Sequence, residues 1–270
     1  MSQAENSPRW RPSPLLVASG AIHLSAAAAL IARPHTWPWA LGALAINHLA
    51  LAGAGLWPRS QLLGSNWTHL PGREGISGVA ITIDDGPDPD VTPQVLAQLD
   101  AERASATFFC IGERVLRYPD LAQEIVRRGH AIENHSQRHH HNFSLLGPAS
   151  MYAEVAKAQE CILRVTGSRP LFFRAPAGLR NPFLDPVLLR LELQLASWTR
   201  RGFDTVSTDA AAVLRRLAGP LQGGDILLLH DGHAARGRDG RAVILDVLPR
   251  LFAALKSRGL KSVTLRSALS

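Results

Sequence analysis

Five groups of polar residues stand at the ends of apolar runs in this 270-residue chain, and their types point to chemistry. Asp84-Asp85-Gly86-Pro87 follows GVAITI (78–83), and His135 and His139 follow HAIEN (130–134). Arg174 ends the run LFFRA (171–175), with Pro176 and Gly178 just beyond; Asp204 follows QLASW (194–198); His230-Asp231 closes DILLLH (225–230). Asp-Gly-Pro is ordinary turn chemistry. Two ionised carboxylates at the end of a buried strand, however, carry a desolvation cost that a turn does not require. Leaving the turn at diverging angles, one carboxylate can bind a metal while the other reaches a bound water. The spacing of four between His135 and His139 puts both imidazoles on one side if that segment makes one helical turn. His139, His140 and His141 are contiguous, so spacing alone does not choose among them. Two histidines, a carboxylate and an open position suit a catalytic zinc and equally a non-haem iron(II) oxygenase. The second carboxylate and His230 discriminate. A carboxylate base, a metal-bound water and an opposing histidine acid form a hydrolytic set, and an oxygenase has no need of that acid–base pair.

The segments that must position these residues alternate between strand and helix. Strands are expected at 78–83, 105–111, 130–134, 171–175, 194–198, 225–230 and 262–265, from short apolar runs bounded by turn residues. Helical periodicity fills 92–103, 149–165, 182–192, 208–218 and 242–257, with further turns split by Pro119. Alternation of this kind implies parallel strands in a barrel or a doubly wound sheet. In both, chemistry sits past the carboxyl ends of the strands, where the five groups fall.

Composition narrows the class. An apolar fraction of 46% with 19% charged residues excludes a disordered chain. Two cysteines, Cys110 and Cys161, exclude a disulfide framework and read as buried thiols. The net charge of +7 comes from scattered arginines, with three lysines in all. That reads as a solvated surface with some attraction to anionic lipid or phosphate, and no nucleic-acid partner is expected.

Ahead of the alternating region lie two uncharged apolar segments, LLVASGAIHLSAAAALIA (15–32) and WPWALGALAINHLALAGAGLW (37–57). Each approaches the roughly 20 residues that span a bilayer, and Trp37, Trp39 and Trp57 sit where interfacial aromatics belong. A pair of buried soluble helices usually shows a polar stripe, and a cleaved signal peptide does not account for a second span directly behind the first. The expectation is a transmembrane helical hairpin at 15–57, between a tail (1–14) and a Gly/Pro-rich linker (58–76), with the catalytic domain at 77–270. Arg9, Arg11, Arg59 and Arg73 flank the hairpin against Arg33 within it. Under the positive-inside rule that places both ends on the cytoplasmic side of the inner membrane.

Four motifs, in order, resemble those of the NodB-like polysaccharide deacetylases, carbohydrate esterase family 4. Thr82-Ile83-Asp84-Asp85-Gly86-Pro87 is similar to their T-[F/I]-D-D-G-P, and His135-Ser136-Gln137-Arg138-His139 to their H-[S/T]-x-x-H. Arg174-Ala175-Pro176-Ala177-Gly178 matches R-x-P-x-G, and Leu228-Leu229-His230 matches L-x-H. The resemblance spans about 80–270 and implies an α/β fold, a distorted (β/α)7 barrel, and metal-dependent removal of an N- or O-acyl group from a sugar. It implies Asp84 as general base, Asp85, His135 and His139 as ligands of one divalent ion, zinc, and His230 as the acid. It also implies that Arg174 holds Asp84, and that Leu228 lines the acyl pocket with Pro176 and Trp198 on the substrate-facing wall. The family's usual Asp-Trp pair is degraded. Asp204 is followed by Thr205, and by the family pattern Asp204 would orient the arginine.

Two enzymatic readings follow: a deacylase of an acylated sugar or polysaccharide, and a bilayer-anchored deacylase of a lipid-linked sugar or glycolipid. A sugar-binding domain with a relict site is the non-enzymatic alternative, and the intact base, ligands and acid speak against it.

Overall fold

The computed structural model of the chain describes residues 10–72 and 77–269. Arg9, Arg73 and residues 1–9 of the expected tail lie outside the described residues. Two apolar helices open the chain, α1 (Pro14–Ala32) and α2 (Trp37–Leu56). They pack on each other through small residues, and Asn47 Nδ2 donates to Ser19 Oγ at 2.9 Å between them. Their outer faces are bare: Leu24, Ile31, Trp39, Ile46 and Leu49 are all exposed. Two helices buried in a soluble core would not leave such residues in water.

The remaining elements are β1 (Gly78–Asp84), α3 (Thr92–Ala101), β2 (Thr107–Cys110), α4 (Gly112–Arg117), α5 (Pro119–Arg127), β3 (Ala131–Asn134), α6 (Pro148–Thr166), β4 (Phe172–Phe173), α7 (Leu184–Arg190), β5 (Gln194–Leu195), β6 (Arg200–Arg201), α8 (Ala210–Ala218), β7 (Ile226–His230), α9 (Ile244–Lys256) and β8 (Lys261–Val263). All strand pairs are parallel, in the order β5-β4-β3-β2-β1-β7-β6, with β8 against the first residues of β1. This is the distorted (β/α)7 barrel, open between β5 and β6. Sequence periodicity missed β6, because Arg200-Arg201 carries no apolar alternation. Cys110 and Cys161 are free, buried thiols.

Strand period fixes which residues reach the site. Ile81 and Ile83 of β1 face the outer layer with α3, α8 and α9, while Ala80 faces the barrel interior beside Phe109, Phe172, Ile226 and Leu228. Two residues at a time, Ala80–Thr82–Asp84 and Ile226–Leu228–His230 continue along the inner face. The apolar interior therefore ends, at the carboxyl edge, in Asp84 and His230.

The expected linker 58–76 is not a free tether over its described part, 58–72. Leu63 and Leu70 are buried in it. Trp67 pairs with Ala196 just past β5, and His69 pairs with Asp225 just before β7. This segment closes the barrel gap, and a closed ladder satisfies backbone groups that an open edge would leave bare.

Deletion of 1–56 is expected to leave a folded domain, because the hairpin's apolar faces lie outside both cores. Deletion of 1–76 also removes Leu63 and Leu70, each worth about 1.5–3 kcal/mol of burial, and reopens the gap. Thermal denaturation of the two truncated proteins should show a markedly lower Tm for the second. Equal Tm values would show that the segment is a tether after all.

Candidate active site

The catalytic candidates meet in one cleft at the carboxyl edge, lined by Asp84, Asp85, His135, His139, Trp198, Leu228 and His230 among others. Asp84 and Asp85 do leave the turn in different directions, and the backbone causes it: β1 ends at Asp84, and Asp85 has φ 74°. Aspartate tolerates this left-handed conformation better than most residues. Gly86 follows because a Cβ there would lie 2.5 Å from Asp231 Oδ2.

Asp84 belongs to Arg174. The guanidinium is 1% exposed. Its Nη1 donates to Asp84 Oδ1 at 2.6 Å and Thr82 Oγ1 at 2.7 Å, its Nη2 to Ser197 O at 2.7 Å, and its Nε to Ala196 O at 3.1 Å. Phe109 stacks against it at 4.1 Å. Burial pushes the guanidinium's pKa down, against the pull of Asp84.

Asp85 faces the histidines. His135 Nε2 and His139 Nε2 each stand 3.2 Å from Asp85 Oδ1. His135 Nδ1 is 2.8 Å from the Arg174 carbonyl. A carbonyl only accepts, so Nδ1 carries a proton, and in the neutral ring Nε2 then points a lone pair at the carboxylate. Asp85 Oδ1 is buried without a hydrogen-bond partner. Three acceptors converging on one point fit a cation. Tetrahedral coordination with bonds of about 2.0–2.1 Å separates ligand atoms by about 3.3 Å, close to the spacings seen. Burial opposes a charge on either histidine, but the two carboxylates raise His135 overall, whereas burial and the neighbouring His135 bring His139 down to about 4. Despite its burial, Asp85 is held well below the usual carboxylate range by His135 and His233. Asp85, His135 and His139 can thus hold a divalent ion.

The histidine pair does not sit on a helical turn. Residues 135–142 form a loop in which Ser136 and His139 have φ 62° and 55°. Ser136 Oγ accepts from the His139 amide at 3.0 Å and folds His139 back onto Asp85. His140 points away, 3.8 Å from Glu154.

Asp204 differs from its expected role. It binds His230 rather than the arginine: Oδ1 lies 2.9 Å from His230 Nδ1, and Oδ2 accepts from the His230 amide at 2.7 Å. Burial opposes protonation of His230, but Asp204 outweighs it and raises the ring to about 9. Trp198 and Leu228 line the cleft; Pro176 is buried behind it, and Ala175, Ala177 and Gly178 line it instead.

Two residues escaped the sequence reading. His233 Nδ1 lies 2.8 Å from Asp85 Oδ2 and fixes the carboxylate from behind; the run HDGH held the only signal. Asp231, noted but given no role, is pushed up to about 7 by burial, against a hydrogen bond from Thr92. It braces the turn beneath Asp85.

The polysaccharide deacetylase family profile matches residues 72–196. A peptidoglycan-N-acetylglucosamine deacetylase of Bacillus cereus is 33% identical over 203 residues, covering 74% of this chain and 91% of its own. The chain belongs to the polysaccharide deacetylases, carbohydrate esterase family 4. A chitooligosaccharide deacetylase of Azorhizobium caulinodans is 34% identical, covering 68% of this chain and 90% of its own. A crystal structure of a peptidoglycan N-acetylglucosamine deacetylase with a bound naphthyl hydroxamate superposes with TM-score 0.68 at 26% identity, covering 75% of this chain and 92% of that one. As a polysaccharide deacetylase, the chain is a hydrolase of carbon–nitrogen bonds other than peptide bonds.

Isothermal titration with zinc should show binding abolished in His135→Ala and His139→Ala and unchanged in His140→Ala. His233→Ala should weaken it by about 10–100-fold, as loss of a group that orients a ligand does. Equal losses in all four variants would refute this ligand set.

Proposed function

We propose that this chain is a zinc-dependent deacetylase of an N- or O-acetylated sugar, working with Asp84 as base and His230 as acid. One observation carries the reading. An arginine-held carboxylate and an aspartate-held histidine, raised to about 9, line the same cleft as a three-ligand cation site. Three protein ligands and an open position suit zinc, and the acid–base pair beside them favours a hydrolytic ion over an oxygenase iron. When bound, the ion supplies Lewis acidity to a water and to the acyl carbonyl.

The protein groups do the rest. Arg174 occupies Asp84 Oδ1, leaving Oδ2 to take a proton from the attacking water. The water oxygen bonds to the acyl carbon. His230, its Nδ1 proton held by Asp204, keeps its Nε2 proton for the leaving nitrogen or oxygen. Transfer of that proton lets the C–N or C–O bond break, releasing acetate and a free amine or hydroxyl. Leu228 gives the acyl methyl an apolar wall and Trp198 a surface for the sugar face. The named relatives act on peptidoglycan and chitooligosaccharide, which supports an N-acetylated amino sugar as substrate.

The membrane-anchored reading has its own support. Gly178, in the cleft, has no room for a side chain because Trp198 and Pro58 both press on it. Pro58 stands two residues beyond α2, so the hairpin ends against the site. A lipid-linked sugar lying in a bilayer around α1 and α2 would meet the cleft directly. The Lys/Arg balance of the flanks favours the cytoplasmic side, where finished wall polymer is absent.

The test is a pH profile of acetate release from N-acetylglucosamine oligosaccharides. His230 is charged below about 9, so activity should fall as pH rises through that group's pKa. In Asp204→Asn the group that raises His230 is gone and burial dominates, so the alkaline limb should move to lower pH. Turnover at pH 8 should drop by about 10²-fold, the worth of a positioned acid. An unmoved limb would remove His230 from the acid role, and no acetate release by the wild type would sink the deacetylase reading.

A further inference from the structure

A second groove opens beside the cleft, at the junction with the hairpin, lined by Trp57, Arg59, Trp198, Arg201 and Phe203. It is continuous with the cleft, because Trp198 and Arg201 line both. Its charge is unbalanced. Among the described residues, no carboxylate stands within ion-pair distance of Arg59 or Arg201. Arg59 Nη1 donates to the Thr199 carbonyl at 3.2 Å, which aims the exposed guanidinium along the groove. Arg201 is held between aromatic faces, 5.6 Å from the Trp198 ring and 5.0 Å from Phe203. Its Nε is buried with no hydrogen-bond partner. A buried cationic N–H without an acceptor is costly, and a guanidinium fork matches a tetrahedral oxyanion.

Position identifies the anion. Trp57, 62% exposed, directly follows α2, and Trp10, near the start of α1, is also exposed. Trp10 Nε1 donates to Asp185 at 2.8 Å, on the barrel. Both ends of the hairpin thus abut the barrel, and exposed tryptophans at helix ends suit a membrane–water interface, the depth at which lipid phosphates lie. Arg59 and Arg201 share the groove with Trp57 at the hairpin end and with Trp198 of the cleft.

We propose that this groove is a phosphate subsite, and that the substrate is an acylated amino sugar joined through a phosphodiester to a membrane lipid. The proposal rests on the deacetylase reading above and adds the group that the sugar carries. Arg59 and Arg201 grip the phosphate, Trp198 carries the sugar, and the acyl group reaches Leu228 and Asp84. Binding of the phosphate raises affinity without touching the bond broken, so it is expressed in KM rather than kcat.

The full chain, zinc-loaded in phosphatidylcholine nanodiscs, tests this with two soluble probes: methyl N-acetylglucosaminide and the methyl phosphodiester of N-acetylglucosamine 1-phosphate. The wild type should favour the phosphodiester by about tenfold or more in kcat/KM, as charge-assisted hydrogen bonds allow, with the preference in KM. Arg59→Ala and Arg201→Ala should each erase most of it, Arg201→Lys should restore part, and Arg190→Ala, remote on α7, should leave it intact. Binding of the phosphodiester to metal-free protein, followed by tryptophan fluorescence, should weaken in parallel. A wild type that cleaves both probes equally, or an Arg59→Ala variant that keeps the preference, overturns the subsite while leaving the deacetylase standing. Hydrolysis of neither probe overturns both. If the arginines hold bulk headgroups instead, phosphatidylglycerol nanodiscs will change turnover of the neutral probe and the phosphodiester will gain nothing, which also overturns it.

Discussion

The buried pair between Arg174 and Asp84 is the constraint around which the rest of the site is arranged. A guanidinium almost without solvent contact is tolerable only if all three nitrogens find acceptors, since breaking a buried ion pair costs about 3–5 kcal/mol. Here its partners come from β1, through Asp84 and Thr82, and from the segment after β5, through Ala196 and Ser197. One charge thus joins chain segments on opposite sides of the barrel interior. Its backbone carbonyl also takes the Nδ1 proton of His135. The residue that holds Asp84 therefore also fixes the orientation of the His135 ring. Base and cation site cannot drift apart without breaking this one group of contacts.

The opposing half of the cleft follows the same logic with the charges reversed. Asp204 is fully buried and spends both oxygens on His230, one on the ring and one on the amide. A carboxylate clamped by its histidine from two directions sets both the ring's orientation and its charge. The cleft thus faces a negative group held by a cation with a positive group held by an anion. A reaction that removes a proton at one atom and delivers one at another needs that polarity. The family relationship states the reaction class, and these pairings are the features on which the proposed mechanism rests.

Much of this was legible in the sequence, for identifiable reasons. The ends of β1 and β7 were readable because apolar runs terminate abruptly in Asp84-Asp85 and His230, and period-two alternation carries their direction into the barrel. What escaped was what depends on tertiary partners. His139 reaches Asp85 through a loop with two left-handed residues, not through a helical turn, and no periodicity reports such a loop. Asp204 lies 26 residues from His230, so its partner could not be read from local pattern. No local pattern around His233 reports that its ring meets Asp85. Segment 58–72 reads as a linker by composition, yet Trp67 and His69 pair across the opening between β5 and β6, because a ladder with two open edges offers pairing to any nearby extended chain. The hairpin was visible from hydropathy alone; that its end presses on Gly178 required the fold.

The central claim is that Asp84 supplies the base while Asp85 supplies the metal ligand, two adjacent carboxylates with separate work. Measuring zinc content and acetate release together for Asp84→Asn and Asp85→Asn tests it most directly. The account predicts that Asp84→Asn keeps its zinc while turnover falls by about 10²–10⁴, the usual worth of a positioned base, and that Asp85→Asn loses the zinc itself. An Asp84→Asn protein that sheds its zinc, or that turns over at the wild-type rate, would contradict it.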